Sequence, residues 1–438
     1  MTRCLINTAL SKAGETVRIS GWVHTIRNQK RMIFLILRDH TGVLQCILQK
    51  GSDSVLESKL TDLSHESAVT VTGLLIASGE IRLGGVELQI QDINVLSNAN
   101  SPIVYDVFGP AQPSLDLRMD WRFLDLRRPE NLLVFEVQTT AEMAMREFWI
   151  REGFLEMHSP KLMGSPSESG AELFKLDYFD KVAYLAQSPQ FYKQMAMAAG
   201  FDRVFEIGPV FRANPSFTSR HDTEFTSVDV EMSWIDSHED VMEFEERWIC
   251  YVLERIRATH GDKIAALRGR DVTIPTLPFP RITLEDALRA IQSERTDPSH
   301  DPNDLDSHGE KLLSEYIRRE TGHEFVFVTD YPAEIRAFYH MRQDEDTSKT
   351  KSFDLLWNGL EVTTGAQREH RYDVLLRQTI EKGLNPELLG FYLDFFKYGC
   401  PPHGGFGFGL TRMLMLLLGF SNVREVTFIY RGPTRLHP

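Results

Sequence analysis

Residues 210–225 read VFRANPSFTSRHDTEF. Apolar, strand-like positions flank a polar loop that carries Arg212, Arg220 and His221 and leaves at Phe225. A triphosphate with a purine ring asks for such a set. Arginine makes charge-assisted, fork-shaped hydrogen bonds to phosphate oxygens, and an aromatic face stacks on a base. A solvated hairpin with two ordinary surface arginines would show the same letters, so the stretch has to be weighed with the rest of the chain.

Three further stretches bear on it. Residues 404–414, GGFGFGLTRML, place glycines at 404, 405, 407 and 409 ahead of an apolar helix over 410–420, with Arg412 in its first turn. Glycines let a backbone approach a ligand closely, and a Gly-rich turn entering a helix recurs at phosphate sites. The stretch matches neither a P-loop nor a strand-following GxGxxG. Residues 360–370, LEVTTGAQREH, offer Glu361 and Thr364 as oxygen ligands for one Mg²⁺ and Arg368 as a bidentate anion binder. In residues 186–194, AQSPQFYKQ, Gln190 and Lys193 share a helix face and suit a small anionic substrate. Each of these, alone, also reads as ordinary surface polarity.

The chain has 438 residues, more than one hydrophobic core supports, so two or more domains are expected. A hydrophobic fraction of 42% and a charged fraction of 25% are those of a globular protein without a membrane span. Neither a signal peptide nor CxxC spacing is present. Cys4, Cys46, Cys250 and Cys400 read as reduced thiols of a cytoplasmic protein. The net charge of −14 argues against a general nucleic-acid coat. Residues 1–100 nevertheless carry 10 Lys and Arg against 9 Asp and Glu, and Arg18, Arg27, Lys30, Arg31 and Arg38 fall in a stretch without acids. That segment is a candidate polyanion contact.

Residues 16–96 alternate as five short strands, with a helix near 52–63 between the third and fourth, which is the order of an OB-fold. Residues 101–130 read as a partly ordered hinge. A helix is expected from about 131 to Gly153, then a strand over FLEMHSPKLM leading into Pro160, then alternating strands and helices. The Asp- and Glu-rich run 285–310 reads as a solvated insertion without chemistry.

Taken in order, FLEMHSPKLM, VFRANPSFTSRHDTEF and GGFGFGLTRML resemble the three motifs of the class II aminoacyl-tRNA synthetases. SPQFYKQ, TTGAQREHRYD and KYGCPPHGGFGFG draw the resemblance towards the aspartyl-tRNA synthetases of archaeal and eukaryotic type, over nearly the whole chain. It implies an α+β fold with an N-terminal OB-fold β-barrel over 1–100. After a hinge over 101–130 comes a catalytic domain over 131–438, built on an antiparallel sheet flanked by helices.

The resemblance also implies roles. Arg212 would hold the α-phosphate and the substrate carboxylate, and Arg220 and His221 the outer phosphates. Phe225 would stack under adenine with Arg412 over its other face. Asn214, Asp222, Gly409, Leu410 and Thr411 would complete the ATP site, and Arg212, Glu361 and Arg412 would be catalytic. Glu361 and Thr364 would hold Mg²⁺. Lys193 and Arg368 would bind the β-carboxylate of aspartate, Gln190 would place the amino acid, and Glu168 would close over its ammonium group. In the barrel, Phe34 would stack on an anticodon base while Gln45 and Glu87 read base edges. Partners implied are L-aspartate, tRNA(Asp) and a second copy of the chain, joined across Pro160.

The chain departs from the family at two places. Asn214 stands where an acid usually meets the adenine amino group; its side-chain oxygen still accepts a hydrogen bond. His24 stands where members restricted to tRNA(Asp) often carry tryptophan, which implies tRNA(Asn) as a second acceptor, although the proline that accompanies it elsewhere is missing from 83–85.

The implied chemistry is in-line attack of the aspartate α-carboxylate on the α-phosphorus of ATP. A tRNA ribose hydroxyl then attacks the adenylate. Such chemistry needs positioning and charge neutralisation more than a protein nucleophile. Lys193 and Arg368 are expected to reject asparagine, because a neutral amide would leave them unpaired. The rival readings are an asparaginyl-tRNA synthetase, an asparagine-forming paralogue, a silent tRNA-binding paralogue, and an OB-fold binder without activity.

Overall fold

The computed structural model describes all residues except 78–82, 110, 166–171, 216–217, 296–303 and 438. The chain divides into two compact units: Met1–Leu115 with Phe123–Pro129, and Asp116–Arg122 with Glu130–Pro438.

In the first unit the strands are β1 (Arg3–Cys4), β2 (Thr16–Asn28), β3 (Met32–Asp39), β4 (Gly42–Gln49), β5 (Ala68–Ala77) and β6 (Val86–Ser97). Alternation drives them together. Val17, Ile19 and Val23 of β2, Ile33, Leu35 and Leu37 of β3, and Leu44, Cys46 and Leu48 of β4 point into one buried core. β2 pairs with both β3 and β5, β4 pairs with β6, and β6 with β5, so the five long strands close into the expected barrel. Between β4 and β5 lies the helix Ser54–Thr61, whose Asp53 cap accepts from the amides of Val55 and Leu56.

In the second unit, β7 (Leu155–Glu156), β8 (Leu162–Met163), β9 (Lys175–Tyr178) and β10 (Lys181–Leu185) are short. They precede β11 (Arg203–Phe211), β12 (Glu224–Ser233), β13 (Arg281–Thr283), β14 (Phe325–Thr329), β15 (Ser352–Trp357), β16 (Leu360–Arg368) and β17 (His403–Gly409). The main sheet runs β13-β14-β15-β16-β17-β12-β11-β7. Its middle is antiparallel throughout; only the edge strands β13 and β7 lie parallel to their neighbours, so the sheet is mixed rather than wholly antiparallel.

One face of this sheet is closed by the helix His238–Arg268. It starts at a Ser237–Asp240 capping box and ends at Gly269 in the left-handed region. Its Trp248 packs on Phe406 and Phe408 of β17 and stacks at 5.0 Å on Trp149 of the helix Pro129–Arg151. The opposite face is left for the site.

Two expectations need adjustment. FLEMHSPKLM is not one strand: only Leu155–Glu156 and Leu162–Met163 pair, on either side of Pro160. The acidic run 285–310 is not simply solvated either. Leu284, Ala287, Ile291 and Leu305 are buried against Leu313 and Ile317 of the helix Ser307–Thr321. An amphipathic helix hides its apolar stripe however acidic its outer face is.

Candidate active site

β11 and β12 form an antiparallel hairpin whose loop carries Arg212, Arg220 and His221. Phe211 pairs with Glu224, and the Arg212 amide donates to the Thr223 carbonyl at 2.9 Å. These carry Arg212 and Phe225 onto the open face of the sheet, the guanidinium 5.6 Å from the ring centroid.

β16 reaches the same face by an irregularity. Leu356 of β15 pairs with Glu361, but Leu355 pairs with Thr363, so Val362 is an extra residue. A bulge re-aims the side chains beyond it. Without it Glu361 and Thr364 would point to opposite faces; with it the Thr364 hydroxyl donates to a Glu361 carboxylate oxygen at 3.2 Å. Thr363, on the back, donates instead to Glu245 of the helix His238–Arg268.

The result is one cavity of about 660 Å³. Arg212, Asn214, Arg220, His221, Asp222, Phe225, Gln190, Lys193, Glu361, Thr364, Arg368, Gly409, Thr411 and Arg412 all line it. Two sequence candidates are not in its wall. Leu410 is 1% exposed and packs in the core of its helix, and Glu168 lies outside the described residues. The glycines divide as well. A Cβ on Gly405 would fall 2.0 Å from the Val230 carbonyl oxygen, and one on Gly404 2.7 Å from that of Ala366. These two serve the close pairing of strands and not a ligand; Gly407 and Gly409 are the ones that border the cavity.

At one end Arg412 donates to the Glu361 carbonyl at 2.7 Å and to its carboxylate at 3.2 Å. Burial, with Asp354 beside it, raises the Glu361 carboxyl above its ordinary range despite Arg412. Arg220 donates to Glu310 at 2.7 Å, and burial pushes that carboxyl up to about 7. His221 is held below its ordinary value by burial and then by Arg412, Arg220 and Arg212. Asp222, buried and bonded by Thr427, is pushed up to about 7 by desolvation.

At the other end Lys193 and Arg368 line the cavity and already have partners within the fold. The Lys193 ammonium lies 3.1 Å from Asp229 and 3.2 Å from Glu231, and donates to the carbonyls of Val230 and Phe406. Arg368 donates to Glu231 at 3.0 Å and to the Gly405 carbonyl at 2.9 Å. Cations this deeply buried need partners within the fold. Glu231 is fully buried, which alone would raise its pKa, yet Arg368 and Lys193 hold it below the usual range. A neutral amide would therefore not leave the two cations unpaired.

Sequence reasoning passed over Asp229, Glu231, Glu310 and Asp354. Asp354 had a signal. Asn358-Gly359 is a hairpin turn dipeptide, and regular pairing about it sets Asp354 opposite Thr363, within one residue of the observed partner; the Val362 irregularity moves it opposite Thr364. No comparable local signal marked Glu310, which arrives from a distant helix. Among the described residues no group of three or more His, Cys, Asp and Glu is arranged to hold a metal ion.

In the barrel, Phe34, Gln45 and Glu87 sit on the outward face, half-buried, and Gln45 donates to Glu87 at 2.9 Å. Arg27, Lys30 and Arg31 are exposed, but Arg38 is not a free basic group: it is buried and paired with Glu66 at 2.8 Å. His24 occupies a bulge of β2, edge-on to Phe108 with ring centroids 4.7 Å apart. Burial, then Arg38, lowers its pKa.

A closed five-strand barrel and a sheet presenting arginines, an aromatic ring and a glycine-lined strand on one face agree with the class II synthetases that the sequence motifs resemble. The family described as tRNA synthetases class II (D, K and N) matches residues 114–430, and that of the OB-fold nucleic acid binding domain matches residues 17–96. The chain belongs to the class II tRNA synthetases of the D, K and N group and is an aminoacyl-tRNA ligase. It is 46% identical to an aspartate–tRNA(Asp/Asn) ligase of Methanopyrus kandleri, over 97% of this chain and 96% of that protein. It is 40% identical to an aspartate–tRNA(Asp) ligase of Pyrococcus abyssi, covering 97% of each. Among solved structures, asparaginyl-tRNA synthetase from Pyrococcus horikoshii complexed with asparaginyl-adenylate superposes with a TM-score of 0.91 at 32% identity over 100% of both chains. No helix of the described residues is long and apolar enough to cross a membrane.

Proposed function

We propose that the chain is an aspartate–tRNA ligase that joins L-aspartate to ATP as aspartyl-adenylate and then transfers it to the 3′ end of tRNA(Asp). One observation carries this reading: the chain is 46% identical over 97% of its length to an aspartate–tRNA ligase, and Arg212, Phe225, Glu361 and Arg412 converge in one cavity with Lys193 and Arg368. The first set suits a nucleotide, with Phe225 stacking on adenine and Arg212 on the α-phosphate. Arg220 and His221 suit the outer phosphates, while Gln190, Lys193 and Arg368 suit the amino acid. Asn214 offers an oxygen in place of the usual acid. Glu168 keeps its assigned role over the ammonium as part of the proposal.

The donor set fits Mg²⁺. Glu361 and Thr364 present oxygen atoms to the cavity; behind them Asp354 is paired with Arg336 at 2.6 Å through one oxygen, and its other oxygen is buried without a hydrogen bond among the described residues. An ion that takes most of its ligands from phosphates and water needs no third carboxylate. When bound, it would offset charge on the phosphate oxygens; Arg212 and Arg412 supply the same kind of stabilisation from the protein.

A second copy of the chain suits the exposed Met143 and Ile150 of the helix Pro129–Arg151 and Leu155 of β7. The free thiols of Cys4, Cys46, Cys250 and Cys400 suit the cytoplasm. The Methanopyrus relative's double name and His24 support tRNA(Asn) as a second acceptor.

Asparagine activation is the second reading. The charge-balanced Lys193–Asp229–Glu231–Arg368 group and the likeness to an asparaginyl-tRNA synthetase favour it. ATP–pyrophosphate exchange with aspartate, asparagine and lysine separately decides. Exchange with aspartate alone is expected; exchange with asparagine alone, or with none, overturns the proposal. Charging of purified tRNA(Asn) with aspartate tests the second acceptor.

A further inference from the structure

Behind Gln190 lies a chain of fully buried polar groups that do not line the cavity. The Gln190 side-chain amide donates to the Gln194 oxygen at 2.9 Å, and the Tyr392 hydroxyl donates to the same oxygen at 3.0 Å. The Gln194 nitrogen lies 3.0 Å from His403 Nε2, and His403 Nδ1 lies 2.8 Å from the Pro401 carbonyl. Gln194, Tyr392 and His403 have no exposure to solvent.

The direction of every bond follows from its last member. A carbonyl only accepts, so His403 Nδ1 carries a hydrogen and donates to Pro401. Burial holds the imidazole neutral, with its pKa lowered to about 4 although Glu231 and the Pro401 carbonyl work to raise it. A neutral ring has one N–H, so Nε2 is an acceptor. Gln194 must then turn its NH₂ towards His403 and its oxygen towards Gln190 and Tyr392. Gln190 must in turn use an N–H on Gln194, which leaves its own oxygen for the cavity it lines.

We propose that Gln194, Tyr392 and His403 are positioning residues that fix the Gln190 amide with its oxygen towards the cavity, where it accepts from the substrate's α-ammonium group. The inference rests on the amino-acid site proposed above. It needs no group beyond those present. The charged and titratable groups around His403 are Glu231 and Arg368 from the adjoining strands, His370, and Cys400, whose sulfur lies 3.8 Å from Nδ1.

The test uses the full-length protein and pyrophosphate exchange between pH 5.5 and 8.5. In Gln194→Leu the oxygen and the NH₂ are both lost. The KM for aspartate should rise about tenfold or more, since a hydrogen bond to a charged group is at stake, with the KM for ATP little changed. Succinate, which lacks the ammonium group, should inhibit the variant and the wild type equally well. Gln194→Glu gives the sharper result. Its carboxylate keeps the acceptor for Gln190 but accepts from His403 only when the imidazole is protonated. The KM for aspartate should be near wild type at low pH and climb as the imidazole deprotonates, while the wild type stays flat in this respect. Equal pH profiles for Gln194→Glu and wild type, or equal losses of aspartate and succinate affinity in Gln194→Leu, would overturn the inference. Lack of any exchange by the wild type with aspartate would instead sink the underlying reading.

Discussion

His221 faces Arg412, Arg220 and Arg212, and those cations, after burial, hold its imidazole neutral at pH 7. A bound triphosphate reverses the sign of that field and raises the imidazole pKa. ATP binding should therefore take up a proton on His221, and affinity from this group should improve as pH falls from about 8 to 6. His221→Asn should weaken ATP binding severalfold and remove that part of the pH dependence, as calorimetry in buffers of different ionisation enthalpy would register. An unchanged proton uptake in the variant would show that His221 does not meet the phosphates. At this scale the sequence singled out 212, 220, 221 and 225 together, and all four line one cavity. It was silent on what stands behind each cation. Glu310 beside Arg220, and Glu231 between Lys193 and Arg368, come from segments far along the chain, and local spacing carries no record of such partners.

The elements show the same division. β17 pairs closely with β12 and β16, and its glycines read alike in sequence. In space they are unlike. Gly405→Ala would drive a methyl into the Val230 carbonyl and the Glu231 carboxylate, and should cost about 1–3 kcal/mol or more, with the Lys193–Glu231–Arg368 group disturbed. Gly407→Ala meets Asp229 only at 3.4 Å and should fold as the wild type does. Denaturant unfolding of both variants checks the contrast; equal destabilisation would contradict it. Strand alternation and the helix Gln190–Ala198 were legible because burial follows their periods. The two-residue pairings around Pro160 were not, because strands that short carry no period to read.

Over the whole molecule, the buried Glu245 makes stability depend on pH. Its carboxyl is pushed up to about 8 by burial, against Thr363, which lowers it. The folded state thus holds a proton there that the unfolded chain releases near its ordinary value of 4.5. The stability it contributes is complete below that value and is lost as pH rises through about 8. Asp222 and Glu310, each raised to about 7, act in the same direction. Glu245→Gln should lose less of its Tm than the wild type between pH 6 and 9, by an amount corresponding to roughly a few kcal/mol. Parallel Tm curves would show that Glu245 is not the proton holder.

The chain also runs β16 in two phases. Glu361 looks into the cavity before the irregularity, and beyond Val362 the even-numbered Thr364 and Arg368 do. Val362 works as an inserted beat, so the nucleotide end and the amino-acid end of the site are synchronised by chain length and not by side-chain identity. Evolution can exchange letters here far more freely than it can lose the irregularity: regular pairing through Val362 would turn Thr364 and Arg368 towards the helix behind the sheet and bring Thr363 round to the ligand side.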